Sequence, residues 1–461
     1  MKIGSRIRQV DIRWYSIPVG IAVGLLTFVF APVEPDTGTL LGITLFCITL
    51  WIANPIPPSF TGLIGVGLIG VTFSTDLALV GFKSPATWLI IFGLIMGEAT
   101  RSSGLARLIG AWVVKHGVPE RTDPARTYMY LLFLLCLVGI GLAILVPSSL
   151  VRVLILLPVL AEIGDMFSSR DAKIGIFLGP SIATFYGSVG ILTAGLPNVI
   201  ITGIVESIGG PSVSWTEWAV HLFAVMGLGR VLLIASVVYY LYRPEEGTTV
   251  KIPERQKNPT KDERRMLLFL LIGTAIWATD FIHGLHPVFG ALLVVVLALL
   301  PSLGTLEFEE IGQVDFSIIF FLGAVFAIGE GLSRTGFTEE IAKYLLAFVP
   351  GQAPLVVILA LIFVVTVSLT FLMEGLAVAS VLTPVVVSFT KNMGIPLQPA
   401  IMTEAIALGT YFFPYQSAVL VAIVGENVVD TTDLIKTASW CSIATTAVLL
   451  PLQLLIFTLM Y

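Results

Sequence analysis

GLAILVPSSLVRVLILLPVLAEI, residues 141–163, is apolar enough for lipid, yet Pro147, Ser148 and Ser149 interrupt it and Arg152 follows inside the apolar run. A second stretch, SLTFLMEGLAVASVLTPVVVSFT at 368–390, has the same outline, with Glu374-Gly375-Leu376 standing where Ser148-Ser149-Leu150 stands. A proline follows ten residues after the first tip residue in both, at Pro158 and Pro384. Two polar breaks placed alike in two halves of a membrane chain are what a carrier needs at its midplane.

The surroundings are those of a membrane protein. Of 461 residues 56% are hydrophobic and 12% charged, with a formal charge of -5, and the mean hydropathy is +0.97. An average protein carries about 25% charged residues. Apolar runs long enough to cross a hydrocarbon core of about 30 Å recur along the whole chain. Cys47, Cys136 and Cys441 are scattered in apolar segments without metal spacing. The first apolar run, 14–31, is too long for a signal core and reads as a retained helix. No phosphate-binding glycine loop, HExxH or Gly-x-Ser-x-Gly occurs, and no nucleic-acid partner or cofactor other than sodium ions is expected.

Two halves emerge in order. Residues 1–37 hold a basic N-terminal segment (Lys2, Arg6, Arg8, Arg13) and the first helix. Residues 38–242 form a first repeat, with a hairpin at 127–168 and a broken helix at 172–208. As one straight helix the run 172–208 would reach about 54 Å, too long for the bilayer, so Gly195-Leu196-Pro197-Asn198 is the natural break. Residues 243–265 are a polar linker, and 266–461 repeat the order, with a hairpin at 353–393 and a broken helix at 398–428. Similarity between the halves is weak but collinear. Trp51 pairs with Trp277, Asn54 with Asp280, Glu98 with Glu330 (each with a glycine six residues on, Gly104 and Gly336), Ser148 with Glu374, and Asn198 with Gln416. Arg101, Arg107 and Lys115 alternate with apolar residues as in a helix at the membrane surface.

The expected fold is therefore an all-α integral membrane protein of about eleven transmembrane helices plus two re-entrant hairpins, in two inverted-topology repeats with broken helices. With the N-terminus inside, most of the 25 Lys and Arg fall on the cytoplasmic side, as the positive-inside rule requires. The loop at 301–315, placed inside yet carrying only acids, is the exception.

On these tips, breaks and surface helices the chain resembles the divalent anion:sodium symporter family, which carries dicarboxylates, citrate or sulfate. The resemblance covers nearly the whole chain. In that family each tip bears a Ser-Asn-Thr signature ten residues before a proline, and the broken helix bears a Thr-Pro-Pro-Asn-like loop. This chain keeps only the serine at its first tip and nothing at its second. Its loops are Gly195-Leu196-Pro197-Asn198 and Phe413-Pro414-Tyr415-Gln416-Ser417. The resemblance implies that tips and loops bind the anion and sodium, and that the protein is a homodimer of scaffold and moving transport domains.

The expected substrate- or ion-binding set is Ser148, Ser149, Leu150, Arg152, Thr193, Gly195, Pro197, Asn198, Glu374, Gly375, Leu376, Thr410, Pro414, Tyr415, Gln416 and Ser417, with sodium near Ser148, Asn198, Glu374 and Gln416. Ser148 and Ser149 suit a helix N-cap or an oxyanion. Asn198 and Gln416 both donate and accept. Arg152 and Glu374 either pair across the tips as a structural ion pair, or act directly, Arg152 as counter-charge to the anion and Glu374 as cation ligand or proton carrier. Arg230 is read as bound to backbone or an acid, or snorkelling, and the matched acids Glu98 and Glu330 as structural. The function expected is a secondary active transporter of a small anion across the inner membrane, coupled to sodium or protons by alternating access. The alternatives are a sodium-independent exchanger or efflux carrier and, from another class, an integral-membrane enzyme.

Overall fold

In a hydrocarbon medium every backbone N–H and C=O must be satisfied within the protein, which leaves helices or closed barrels, and long continuous apolar runs favour helices. The computed structural model describes residues 12–118, 123–251, 259–346, 353–426 and 428–461. Among them the structure is helical, apart from one isolated antiparallel bridge between Phe167 and Val250. The basic residues Lys2, Arg6 and Arg8 and the centre of the linker lie outside the described residues.

Helices long and apolar enough to span unaided are Pro35–Ala53, Pro124–Leu145, Trp215–Leu241, Gly375–Met393 and Thr431–Met460. Two of these, Pro124–Leu145 and Gly375–Met393, are arms of the hairpins. Their partner arms are Ser149–Gly164 and Leu355–Thr370. The broken helices are Arg170–Tyr186 with Leu196–Ser207, and Leu397–Leu408 with Ala418–Gly425. Shorter apolar helices include Ser16–Phe30, Pro58–Thr72 and Pro287–Ala298. The segments expected at the membrane surface form separate helices set at an angle to the spans before them. Leu105–Gly117 bends 63° from Pro85–Ser102, and Phe337–Tyr344 bends 73° from Ile318–Arg334.

Packing between the repeats is reciprocal. Pro58–Thr72 packs on Ile318–Arg334, and their counterparts Pro287–Ala298 and Pro85–Ser102 pack on each other. The second half of each broken helix packs on the hairpin of the other repeat, Leu196–Ser207 on Gly375–Met393 and Ala418–Gly425 on Ser149–Gly164. Each tip is thus completed by the opposite half of the chain.

Matched residues do matched work. Trp51 Nε1 donates to the Pro58 carbonyl at 3.2 Å and Trp277 Nε1 to the Pro287 carbonyl at 2.8 Å, so each indole closes the turn onto the proline that starts the next helix. Gly104 (φ 77°) and Gly336 (φ 73°) take the left-handed conformation at the two surface bends, where a side chain is disfavoured. Glu98 pairs with Arg101 at 2.5 Å and Glu330 with Arg334 at 2.7 Å, just before those bends. The last span of each repeat carries a π-helical turn, Phe223–Gly229 and Thr445–Leu449. At the first, a Cβ on Gly190 would lie 2.6 Å from Gly227 Cα, so only glycine allows this approach.

One sequence boundary moves, and one matched pair of residues divides its roles. The linker ends before residue 265, because Thr260 and Glu263 form a capping box that starts the Lys261–Ala278 helix early. Asn54 and Asp280 share a position but not a task. Asn54 is a left-handed C-cap (φ 48°), whereas the Asp280 carboxylate accepts from the Trp215 amide at 2.6 Å and holds the start of another span.

Candidate functional site

The two tips and the two breaks meet around one cavity of about 170 Å³. Of the residues anticipated from sequence, Ser148, Ser149, Leu150, Thr193, Pro197, Glu374, Leu376 and Ser417 line it. Arg152, Gly195, Asn198, Gly375, Thr410, Pro414, Tyr415 and Gln416 stand outside the lining, and most of them hold the walls together.

At the first tip the Pro124–Leu145 helix ends, Ser148 turns the chain, and the Ser149–Gly164 helix starts at the cavity with Ser148 as N-cap. Ser148 sits at φ 86°, a region non-glycine residues avoid, and its Oγ accepts from the Val151 amide at a long 3.5 Å. That hydroxyl is therefore weakly engaged as a cap. Ser149 Oγ donates to the Ala194 carbonyl in the first break at 3.0 Å.

Arg152, one turn into this helix, is 0% exposed. Its guanidinium donates to the Val146 carbonyl (2.7 Å), the Ala194 carbonyl (3.1 Å), the Thr184 carbonyl and hydroxyl (both 3.2 Å) and Ser149 Oγ (3.3 Å). Burying an arginine at mid-membrane costs at least about 2.5–3.5 kcal/mol on insertion scales. A set of charge-assisted hydrogen bonds, each about 1.5–3 kcal/mol, offsets it. The ion pair with Glu374 considered from sequence is not formed, and every acceptor named is neutral. The charge is solvated by backbone and hydroxyls, not cancelled.

The first break spans Gly187 to Gly195. Asn198 Nδ2 donates to the carbonyls of Ile191 (3.0 Å), Ser188 (3.1 Å) and Val189 (3.5 Å), tying the unwound backbone together, while its buried Oδ1 has no partner among the described residues. Thr193 Oγ1 accepts from Trp215 Nε1 at 3.1 Å.

The second tip is built differently. Glu374 is the N-cap residue of Gly375–Met393, half-buried, and its side chain makes no cap hydrogen bond. Gln416 ties the second break to this hairpin. Its Oε1 accepts from the Phe412 and Phe413 amides at 2.7 and 2.8 Å, and its Nε2 donates to the Thr370 carbonyl at 3.0 Å. Tyr415, 55% exposed, donates from its hydroxyl to the Phe371 carbonyl at 3.0 Å, so it points at the hairpin and not into the cavity.

Phe185, Tyr411 and Glu404 escaped sequence reasoning. Phe185 and Tyr411 line the cavity and stack with centroids 4.9 Å apart, joining the two broken helices. Aromatic residues in apolar runs carry no sequence signal for this. Arg230, also 0% exposed, donates to the Gly409 carbonyl at 2.9 Å and the Tyr186 carbonyl at 3.4 Å, and lies over the Tyr186 ring. It bridges the inner ends of Arg170–Tyr186 and Leu397–Leu408, which is the backbone-bound reading of its sequence. Thr410 Oγ1 stands 3.4 Å from the same guanidinium. Glu404 is fully buried on the second broken helix, with one oxygen accepting from Thr383 at 2.8 Å. An acid within an apolar run was the available signal.

A larger cleft of about 480 Å³ lies between the surface helix and Ser149–Gly164, and Arg101 and Arg107 line it. Both arginines are already paired, with Glu98 and Glu263, so among the described residues that cleft offers an anion no unpaired cation. The cavity between the tips has the better chemistry despite its smaller size.

The family described as "Sodium:sulfate symporter transmembrane region" matches residues 13–460. The L-tartrate/succinate antiporter of Escherichia coli O6:K15:H31 (strain 536 / UPEC) is 23% identical over 463 residues, covering 91% of this chain and 92% of that protein. The protein of that name from Escherichia coli (strain K12) is 23% identical over 439 residues, covering 86% of each. The fold is shared with the Alcanivorax borkumensis YdaH transporter, at a TM-score of 0.58 and 17% identity over 97% of this chain and 96% of that one. With its paired tips and broken helices in place, and matched over nearly its whole length, the chain belongs to the sodium:sulfate symporter family and is a secondary transporter of a small anion, not an enzyme.

Proposed function

We propose that the transported anion is a small dicarboxylate, held in the cavity between the two tips. One observation carries this: both tips and both breaks border the same cavity, and behind the Ser149 wall stands a guanidinium that forms no ion pair among the described residues. The first turn of Ser149–Gly164 adds free amides and a positive dipole end on the same side. Hydroxyls of Ser148, Thr193 and Ser417 complete the polar lining. At about 170 Å³ the cavity is comparable to a protein cavity of about 150 Å³ that holds benzene, so a four-carbon diacid has room in it. The tartrate and succinate named for the relatives are diacids of that size.

Transport follows by alternating access, with the hairpins and broken helices moving against the remaining spans. The inner membrane, a cytoplasmic N-terminus and a homodimer belong to the same proposal; the distribution of Lys and Arg supports the orientation, and the family resemblance supports the dimer.

A thermal-shift screen of purified protein across dicarboxylates, sulfate, sulfonates and monocarboxylates tests the substrate class. A ligand at a hundred times its Kd stabilises by about 2.7 kcal/mol. Succinate or tartrate is expected to raise the melting midpoint while acetate does not. A shift with monocarboxylates alone would remove the dicarboxylate reading.

A further inference from the structure

We propose that Glu374 and the Tyr411 hydroxyl form a subsite for a hydrogen-bond donor on carbon 2 of the substrate, so that this chain prefers a 2-hydroxy or 2-amino diacid to the unsubstituted one. The proposal rests on the reading of the chain as a dicarboxylate carrier and specifies which dicarboxylates it takes.

The two walls of the cavity offer different chemistry. On the first, Ser148 and the opening turn of Ser149–Gly164 offer donors, with the Arg152 guanidinium behind them. That wall suits a substrate carboxylate. On the second stands Glu374. An ionised carboxylate accepts hydrogen bonds and donates none. Among the described residues Glu374 forms no ion pair, and its side chain makes no cap hydrogen bond. It therefore keeps accepting capacity toward whatever fills the cavity, and a second substrate carboxylate is the wrong group to meet it.

Tyr411 lines the same cavity and is 4% exposed. Its ring stacks on Phe185 with centroids 4.9 Å apart and planes 15° apart. Its backbone carbonyl accepts from Tyr186 Oη at 2.9 Å and from Ser442 Oγ at 2.6 Å. The residue is thus held from both sides, while its own hydroxyl has no hydrogen-bond partner among the described residues. A phenol both donates and accepts. A fixed, nearly buried hydroxyl without a partner is costly until a ligand supplies one.

One kind of ligand satisfies both groups. A hydroxyl or ammonium on carbon 2 donates to the Glu374 carboxylate, and the Tyr411 hydroxyl bonds the same substituent or the carboxylate beside it. A hydrogen bond to an ionised group is roughly twice as strong as a neutral one. An ammonium also cancels the charge of Glu374. The unsubstituted diacid offers no donor and brings a like charge toward that wall at low dielectric. A site built to bond a substituent discriminates against the analogue lacking it, because its own polar groups are then left unpaired.

The test is calorimetric titration of the purified full chain with succinate, L-malate and L-aspartate, which share a four-carbon diacid frame. L-malate or L-aspartate is expected to bind at least about tenfold tighter than succinate, equivalent to 1.4 kcal/mol. Tighter L-malate assigns the subsite to a hydroxyl and tighter L-aspartate to an ammonium. A preference below about tenfold for both would overturn the proposal and leave the carrier reading standing. No binding of any of the three would remove both.

Glu374→Gln keeps the shape of the side chain and removes its charge. In a monodisperse variant succinate is expected to bind more tightly, and the preference for the substituted diacid to fall by at least about fivefold. An unchanged preference, as expected of a carboxyl that is always protonated, or an equal loss for all three ligands, would contradict the proposal. Where that variant does not fold, Tyr411→Phe keeps the stack on Phe185 and removes the hydroxyl alone. The preference is then expected to fall by about threefold or more, and an unchanged preference would count against the subsite.

Discussion

The two tips occupy equivalent places but are secured in opposite directions. In the first half the tip reaches into the break, with Arg152 and Ser149 donating to Thr184 and Ala194. In the second half the break reaches into the tip, with Gln416 and Tyr415 donating to Thr370 and Phe371. The first tie is a cation and the second is neutral. One backbone plan has thus been kept twice while its electrostatics have diverged, which leaves the positive charge on one wall of the cavity. Glu374 stands on the other wall.

Breaking the first tie is expected to have the largest effect. Arg152→Met fills similar space but leaves several buried acceptors without donors, at about 1–3 kcal/mol each. A loss of at least ~3 kcal/mol is expected, read as a drop in the melting midpoint with loss of transport. Survival at wild-type stability would show that the guanidinium does not hold the break. Gln416→Ala cuts the neutral tie and exposes the Phe412 and Phe413 amides. It is expected to cost about 2 kcal/mol, less than Arg152→Met by the same thermal measurement. The reverse order would contradict the difference drawn between the halves.

The remaining changes are smaller. Gly104→Ala and Gly336→Ala each place a Cβ at a left-handed bend and are expected to cost about 1 kcal/mol. Equal costs in denaturation would sharpen the symmetry of the scaffold, and a large inequality would break it. Ser148→Gly removes a side chain from φ 86° and gives up only a long cap contact. Stability should change by less than about 1 kcal/mol, while the KM for the anion rises and kcat holds if the hydroxyl faces the substrate. An unchanged KM would take Ser148 out of the binding set.

Large-scale order was legible in the sequence because it rests on strong, repeated signals. Pro147, Pro158 and Pro384 mark the hairpins, and the Trp51–Trp277 and Glu98–Glu330 matches have physical counterparts in the turns they close and the bends they flank. The interior of the site was less legible. Which way Arg152 turns depends on carbonyls brought from 32 and 42 residues away, and no local pattern encodes that. Asn198 and Gln416 looked alike as amides at matched breaks, yet one gathers carbonyls and the other also receives amides. Phe185 and Tyr411 were hidden because an aromatic that lines a cavity and one that faces lipid read the same.

The most direct test is a structure of the protein determined with saturating succinate. The account predicts density for the anion between Ser148–Leu150 and Glu374–Leu376, within hydrogen-bonding reach of the Ser148 and Ser417 hydroxyls. Succinate bound instead in the cleft beside Arg101 and Arg107, with nothing between the tips, would contradict it.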